Sequence, residues 1–164
     1  MATKISSDSF RKASGRWATG VSIVTTSDSE GEPFGLTMNA VTSLSLDPPL
    51  YIVNVDVSSD TLAPLLSSGS FCINVLAAGQ QELSNRFAKK GDNKFKDIPY
   101  RTGATKAPQL GGALMNIDCR VNAVHDGGDH KIVVGEVVAI VTDEDTAAKK
   151  PLLYYGGSYA SLAD

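Results

Sequence analysis

Residues 19–26 are TGVSIVTT, a run dominated by β-branched side chains, and residues 27–33 are the turn-forming cluster SDSEGEP. β-Branched residues favour strands because their stiff side chains pack well on a pleated surface, whereas Gly, Pro, Asp and Ser favour turns. Apolar residues resume at Phe34, and we expect this second strand to run to about Leu44. The stretch therefore predicts an antiparallel hairpin.

Further strands are predicted towards the C-terminus, each a short apolar run bounded by polar or turn-forming residues. They are Leu50–Val55, Phe71–Leu76, Leu114–Val124, Ile132–Val141 and a last strand within Pro151–Tyr155. The predicted helices are a first one from Asp8 to about Gly20, a short one after the cap residues Ser58–Thr61, and Gln80–Lys90. Strands and helices do not alternate regularly, which favours a barrel or a sandwich over a doubly wound parallel sheet.

The chain is predicted to be one mainly β domain, residues 1–164, with two or three short helices. Residues 91–112 are polar and carry no periodic pattern. A segment of this length without predicted structure is uncommon in a compact domain and is often functional, for example as a lid.

Composition excludes several classes of partner. The 15 basic and 18 acidic residues give a net charge of -3 with no basic block, so nucleic acid is not an expected partner. No run approaches the roughly 20 apolar residues that span a bilayer. The N-terminal residues lack the apolar core of a signal peptide, so a cytoplasmic protein is expected.

Several kinds of chemistry find no support in the sequence. Cys72 and Cys119 are too few for a disulfide framework or a four-thiolate zinc site, and His125 and His130 lack further ligands, so no metal site is expected. Phosphate-loop, Rossmann, nucleophile-elbow and zinc-protease motifs do not occur in a matching context. Hydride transfer between cofactors fits this pattern, because the protein then only binds and orients the reactants and needs no acid–base residue of its own.

Three ordered segments, residues 19–26, Gly35–Ala40 and Ser43–Leu50, resemble the short-chain NAD(P)H:flavin reductases. These form the reductase component of two-component flavin-dependent monooxygenases such as 4-hydroxyphenylacetate 3-monooxygenase. Further matching segments are Ser59-Asp60-Thr61, Asn74-Val75-Leu76, Phe87-Ala88, Gly128-Asp129-His130 and Gly135-Glu136-Val137. The resemblance implies a split β-barrel of the Greek-key, FMN-binding type, a homodimer, FMN or FAD as the flavin, and NADH or NADPH as the hydride donor.

The same resemblance implies which residues contact the flavin. The strand that meets the isoalloxazine edge contributes Gly35, Thr37, Met38, Asn39 and Ala40. Relatives often have Ser in place of Asn39, and either side chain can form a hydrogen bond. An ordinary core strand with alternating apolar residues is the alternative interpretation.

Ser59 and Thr61 are expected to contact the flavin phosphate, because a helix N-terminus with hydroxyl groups suits an anion, and Asn54 and Asp60 are the other flavin-binding candidates of this segment. Simple helix capping explains the same residues, and the Asp60 carboxylate would repel a phosphate unless it points away. Asn74, inside an apolar strand, is a further candidate because a buried amide must find partners. The remaining flavin candidates are Phe87, Ala88 and Phe95, with an ordinary core stripe as the alternative.

His130 is expected to lie beside the nicotinamide and to orient it, with Tyr155 bordering the same pocket. A solvated turn histidine is the alternative. Asp126 and Asp129 favour NADH over NADPH, because they would repel an extra ribose phosphate.

The function predicted is reduction of free FMN or FAD by direct hydride transfer from NAD(P)H to N5, which supplies reduced flavin to a separate monooxygenase. One alternative is a flavin-binding electron-transfer or storage protein of the same fold that does not use NAD(P)H. Another is a barrel module that binds a different ligand or a protein partner.

Overall fold

The predicted hairpin forms one edge strand and its neighbour in a seven-stranded antiparallel sheet. The computed structural model describes residues 4–91, 93–142 and 149–162. Its helices are α1 (Ser7–Ser14), α2 (Leu62–Ser68) and α3 (Gln81–Phe87), the last preceded by a 3-10 turn at Ala78–Gln80. Its strands are β1 (Thr19–Gly20), β2 (Ser22–Ser27), β3 (Pro33–Met38), β4 (Val41–Leu46), β5 (Pro49–Asp56), β6 (Ser70–Val75), β7 (Tyr100–Thr102), β8 (Pro108–Leu110), β9 (Met115–Gly127), β10 (His130–Val141), β11 (Leu153–Tyr155) and β12 (Ser158–Ala160).

The seven-stranded sheet has the order β3-β2-β6-β9-β10-β5-β4, so β3 and β4 form its two edges. Only residues 39 and 40 lie between these two strands. Laid flat, seven strands would place the edges roughly 29 Å apart, whereas the chain from residue 38 to residue 41 spans at most roughly 11 Å. The sheet must therefore curl until its edges meet at Asn39-Ala40, where the Asn54 N–H donates to the Ala40 carbonyl (3.1 Å).

The two faces of the sheet are covered differently. The α2 face carries Phe71, Ile117 and Val133, which pack with Leu65 of α2 in a fully buried core. The α3 face carries Ile23 and packs against Phe87 of α3 in a second cluster. Antiparallel partners project to the same face, so the paired residues Gly35, Thr25, Cys72 and Asp118 form one row across the α3 face.

The strand predicted at Phe34–Leu44 is interrupted. Pairing with β2 ends at Met38, opposite Ser22. From Val41 onwards the chain pairs with β5 at the other edge instead. The alternation of apolar residues continues across this corner in the sequence, so periodicity alone predicts one strand.

Other boundaries also differ from the sequence-based predictions. Residues 91–112 contain the small β7–β8 hairpin. Strands β9 and β10 extend beyond the predicted strand ends at Val124 and Ile132, so only Gly128 and Asp129 remain in the turn between them. Ser6, not Asp8, caps α1, which ends at Ser14 without a buried residue. Likewise α3 ends at Phe87 rather than Lys90, and β12 was not predicted. None of the described helices combines the length and apolar character needed to cross a membrane.

Candidate functional site

The corner at Asn39-Ala40 is the centre of the candidate site. Asn39 lines three cavities, of about 180, 580 and 370 Å³. The smallest lies between Thr37 and Ala88, and the larger two lie towards Trp17 and Thr19. Among the described residues, neither the side-chain amide nor the backbone N–H of Asn39 has a hydrogen-bond partner. The corner therefore presents donors and an acceptor to whatever occupies these cavities.

The strand leading into the corner separates into a core side and a site side. Met38 is 8% exposed and packs in the α2-face core, so only its backbone can meet a ligand. Thr37 faces α3 and donates its hydroxyl proton to the Ser84 carbonyl (2.6 Å), which leaves the Thr37 oxygen as an acceptor. Gly35 lies against the Phe87 ring, where an added Cβ would come within 2.9 Å of a ring carbon. The glycine is thus required for the close packing of α3 on β3.

A second wall of the site is the turn after β5. Ser58 N–H donates to Asp56 (2.7 Å), and Thr61 N–H donates to the Ser59 hydroxyl (3.2 Å). Hydrogen bonds from the Ser58 backbone and hydroxyl, with the positive charges of His130 and Lys90, hold the pKa of Asp56 below its ordinary value. The turn is therefore fixed by its own hydrogen bonds before any ligand arrives.

Two lysines after α3 reach this turn. Lys90 Nζ donates to the Ser58 carbonyl and hydroxyl (3.2 and 3.1 Å). Lys94 Nζ donates to the Gly35 carbonyl (3.0 Å) and pairs with Asp60 (3.2 Å). Burial raises the pKa of Asp60, but the Gly91 N–H and the Lys94 ammonium outweigh it, so the net pKa lies below the ordinary value. Asp60 therefore stays ionised and is neutralised by Lys94.

The wall formed by residues 93–96 encloses a further cavity of about 570 Å³ against the β2–β3 turn. Gly35, Asp60 and Phe95 line it, so three of the predicted flavin contacts lie together here. The Phe95 ring meets the Phe87 ring edge-on, with centroids 4.9 Å apart.

His130 begins β10 and pairs in register with Asp56. Its Nδ1 lies 2.6 Å from the Asp129 carboxylate, and the side chain is 40% exposed. Asn54, two residues before Asp56, hydrogen-bonds to the corner through its N–H. Two residues of strand correspond to roughly 7 Å. His130, on the neighbouring strand β10, therefore lies about 7 Å further along the strand direction than the hydrogen bond between Asn54 and the corner.

Three predicted flavin contacts are buried within the protein and need correction. Asn74 is fully buried, and its amide bonds only to protein atoms, including the carbonyl of Ile23 and the N–H of Leu110. Thr61 is fully buried and donates its hydroxyl proton to Asp60.

Phe87 is 1% exposed, so its ring shapes the wall without reaching a ligand. Tyr155 lines none of these cavities, whereas its neighbour Tyr154 lines the one beside Thr37. Alternation of side chains along β11 explains the exchange: Tyr154 pairs with Thr19, and Tyr155 is 52% exposed.

The structure adds residues that sequence reasoning missed. Thr19 Oγ1, which lines two of the corner cavities, is the one buried side-chain polar atom without a hydrogen-bond partner in the described part of the chain. Such an atom is costly unless a ligand or water satisfies it. Lys90 is the second such residue: in the sequence it is only the last residue of a predicted helix, next to an identical Lys89.

Groups that would support other chemistry are not assembled. Burial raises the pKa of Cys119 to about 12 and raises that of Cys72 even further, with Asp118 adding to both shifts, so neither thiol is a nucleophile. Across residues 4–91, 93–142 and 149–162, no three His, Cys, Asp or Glu side chains come together as metal ligands.

Residues 14–163 match the model of the flavin reductase like domain family, so the chain belongs to that family. It is 38% identical over 153 residues to the reductase subunit HsaB of a flavin-dependent monooxygenase from Rhodococcus jostii, covering 93% of this chain and 76% of that protein. It is 40% identical to the FMN reductase (NADH) SmoA of Agrobacterium fabrum, covering 96% of this chain and 87% of that protein.

Solved structures agree with this assignment. The nitrilotriacetate monooxygenase component B homologue of Mycobacterium thermoresistibile superposes with a TM-score of 0.91 at 38% identity, over 95% of this chain and 86% of that one. The NADH:FAD oxidoreductase SgcE6 of Streptomyces globisporus, solved with NAD and FAD fragments, gives 0.89 at 31% identity over 99% and 98%. The predicted family, the split-barrel fold class and the activity of an NAD(P)H-dependent flavin reductase are confirmed.

Proposed function

We propose that the corner around Asn39 binds the isoalloxazine of a free flavin as substrate, beside a nicotinamide positioned by His130. The observation that carries this proposal is a buried hydroxyl without a partner beside a corner whose polar groups are free to bind. The buried Thr19 hydroxyl has no hydrogen-bond partner within the described residues, and the exposed Asn39 makes no hydrogen bond to any of them through its amide or its backbone N–H. A ring system with nitrogen and oxygen atoms along one edge supplies the missing partners.

The protein contributes binding and orientation rather than a proton-transfer residue. The bound reactants supply the chemistry: a hydride passes from C4 of the nicotinamide to N5 of the flavin. The corner donors lie where they can stabilise negative charge on the flavin edge. Holding the two rings in contact is sufficient for a large acceleration, because orientation removes most of the entropic barrier.

The flavin phosphate is assigned to the turn after β5. Lys90 Nζ and the Ser58 hydroxyl are 3.1 Å apart and both can turn towards an anion, with Ser59 next to them. Asp60 would repel a phosphate, but its charge is neutralised by Lys94 and by the Gly91 N–H. Ser59 therefore remains a predicted contact, and Lys90 replaces the buried Thr61.

The proposed partner of the reaction is a separate flavin-dependent monooxygenase that consumes the reduced flavin in the cytoplasm. Support comes from the relatives that are named as reductase subunits or components of monooxygenases. An open site suits this role, because a flavin that must leave is bound only moderately.

We also propose that the protein works as a homodimer. Phe10 and Trp17 are 65% and 78% exposed, and α1 buries none of its residues in the single chain. Phe10 on this helix and Trp17 just after it are large apolar side chains without cover in the single chain, which indicates a surface that a second copy covers. Analytical ultracentrifugation of the purified protein tests this proposal. We expect twice the chain mass, and a monomeric mass would contradict it.

An anaerobic assay tests the function directly. The purified chain is mixed with FMN or FAD and with NADH or NADPH, and bleaching of the flavin absorbance is followed. We expect catalytic bleaching with at least one nucleotide, and NADH is favoured because the side chains of Asp126 and Asp129 flank the His130 turn. Flavin binding without bleaching by either nucleotide would select the electron-transfer or storage alternative. No binding of either flavin would refute the site.

A further inference from the structure

Three fully buried polar residues lie on adjacent strands of the α3 face, away from the corner. Thr25 is on β2, Asn74 on β6 and Asp118 on β9, and each is 0% exposed. Thr25 and Asp118 both pair with Cys72, and Asn74 lies two residues further along β6, so all three side chains project to the same side. A buried polar side chain is costly unless it forms hydrogen bonds. The part of the chain that all three side chains bind therefore indicates their role.

That partner is the segment Gly103–Leu110, here called the anchored segment. Thr25 donates its hydroxyl proton to the Pro108 carbonyl (2.5 Å). Asn74 Oδ1 accepts from the Leu110 N–H (2.8 Å). Asp118 accepts from the Ala104 N–H (2.7 Å) and from the Gln109 side-chain amide (3.0 Å). Each of the three strands therefore supplies at least one hydrogen bond to the anchored segment.

Gly103 shows how closely the anchored segment lies on the sheet. A Cβ at this position would be 2.2 Å from one Asp118 carboxylate oxygen and 2.6 Å from the other. Only glycine lets the backbone approach a carboxylate this closely, so the fit is built into the sequence on both sides.

The anchored segment is connected to the wall of the flavin site by pairing and ring contacts. Leu110 pairs with Tyr100 in the β7–β8 hairpin. The Tyr100 ring meets the Phe95 ring edge-on at 5.5 Å, and Phe95 in turn meets Phe87 at 4.9 Å. Lys94, next to Phe95, holds the Gly35 carbonyl. Loss of the ties on the sheet therefore frees the residues that form the wall.

We propose that Thr25, Asn74 and Asp118 are positioning residues for the flavin site, acting through the anchored segment without touching a ligand. The proposal rests on the function assigned to the corner above. It gives the three buried residues a role that apolar residues of similar size could not perform. When the segment is released, only the fraction of molecules with the wall in place binds flavin well, so the apparent affinity falls while turnover at saturation is kept.

A pair of neighbouring threonines provides the matched test. Thr25 and Thr26 are both fully buried on β2, but Thr26 bonds to the Ser70 carbonyl (2.8 Å) and to Ser68, outside the anchored segment. Valine has nearly the same shape and lacks the hydroxyl. We expect Thr25→Val to weaken FMN binding about threefold or more, with kcat within about twofold of the wild type, while Thr26→Val loses comparable thermal stability and leaves FMN binding unchanged.

Asp118 provides a graded series. Asp118→Ala removes the oxygen that accepts from both the Ala104 N–H and the Gln109 amide. Asp118→Asn keeps an oxygen for both and places its NH2 group opposite the Thr105 hydroxyl, which donates to Asp118 in the wild type and can turn to accept. We expect FMN binding to weaken in the order wild type, Asp118→Asn, Asp118→Ala. If the alanine variant does not fold, the Asn and Thr25 variants carry the test.

Hydrogen exchange on the flavin-free protein separates this proposal from the function itself. We expect faster exchange at residues 95–110 in Thr25→Val and Asp118→Asn, and wild-type exchange there in Thr26→Val. Equal FMN affinity in the Thr25 and Thr26 variants, or unchanged exchange in residues 95–110, would overturn the proposal. Absence of FMN binding by the wild type would instead refute the flavin site, whatever the exchange result.

Discussion

Gly35 and Gly135 each make room for an aromatic ring, but on opposite faces of the sheet. At Gly135 a Cβ would lie 2.4 Å from the Phe71 ring and 2.8 Å from Cys119 Cβ. At Gly35 it would lie 2.9 Å from the Phe87 ring and 3.3 Å from a methyl group of Thr25. The Phe71 ring is enclosed by the α2-face core, whereas Phe87 ends the helix that forms a wall of the flavin site.

Both positions require glycine because an aromatic ring lies against the backbone, but the consequence of adding a side chain differs between them. The atoms nearest to a Cβ at Gly135 belong to Phe71 and Cys119, which are both part of the α2-face core, so a misplaced atom there strains the core alone. At Gly35, displacement of the Phe87 ring would also move Ala88 and Phe95, which line cavities of the candidate site, so ligand binding would change. One glycine therefore protects stability, and the other shapes the site.

The largest effect is expected from Gly135→Ala. Overpacking of a closed core costs about 1–3 kcal/mol, which for a chain of this size lowers the melting temperature by roughly 2–12 °C. Thermal unfolding followed by circular dichroism measures it, and the additional change Phe71→Leu is expected to restore part of the loss. A melting temperature equal to that of the wild type would show that the α2-face core is looser than described.

Gly35→Ala is expected to affect binding more than folding. Displacement of the Phe87 ring moves Ala88 and Phe95, so the FMN Kd rises about tenfold, equivalent to roughly 1.4 kcal/mol, while the melting temperature falls less than in Gly135→Ala. Titration of flavin fluorescence measures the Kd. The control is Gly79→Ala, where a Cβ meets nothing within 4 Å. An FMN Kd unchanged by Gly35→Ala would show that the position of the Phe87 ring does not affect flavin binding.

Lys90→Met is expected to weaken FMN binding about fivefold while leaving riboflavin, which lacks the phosphate, unaffected. The reason is the loss of one charge-assisted hydrogen bond at the turn after β5. Lys89→Met, next in sequence, serves as the control and should bind both ligands as the wild type does. Equal weakening of FMN and riboflavin would place the Lys90 contribution elsewhere than at the phosphate.

His130→Ala is expected to raise the KM for NADH about threefold, with a smaller change in the KM for flavin, because the imidazole orients only the nicotinamide. His125, which pairs with Ile132 in the same hairpin, provides the control variant. Steady-state kinetics with each substrate varied in turn gives both constants. A His125→Ala variant with the same defect would assign the effect to the hairpin as a whole.

The strand that forms the site could be predicted from the sequence, whereas the corner at Asn39-Ala40 could not. The motif Gly35–Ala40 gave the strand of the site, because turn residues and β-branched runs are local signals. The corner was missed, because the closure of β3 onto β4 depends on the curl of seven strands. Asn74 was assigned to the ligand because a buried amide needs partners. Its partners are protein atoms: the Ile23 carbonyl on the neighbouring strand and the Leu110 N–H of the segment Gly103–Leu110, which carries no periodic pattern.

The smallest effect, and the sharpest distinction between the two glycines, concerns the thiols. Burial raises the pKa of Cys119 to about 12 and that of Cys72 further, so at pH 8 both are neutral as well as inaccessible. Iodoacetamide should therefore label neither thiol in the native protein and leave activity unchanged, while both react in guanidinium. In Gly135→Ala the strain falls directly on Cys119, so its labelling should accelerate; in Gly35→Ala, where Cys119 is not a neighbour, it should not. Equal acceleration in both variants would mean that the two faces of the sheet open together, and the separation between a core glycine and a site glycine would be lost.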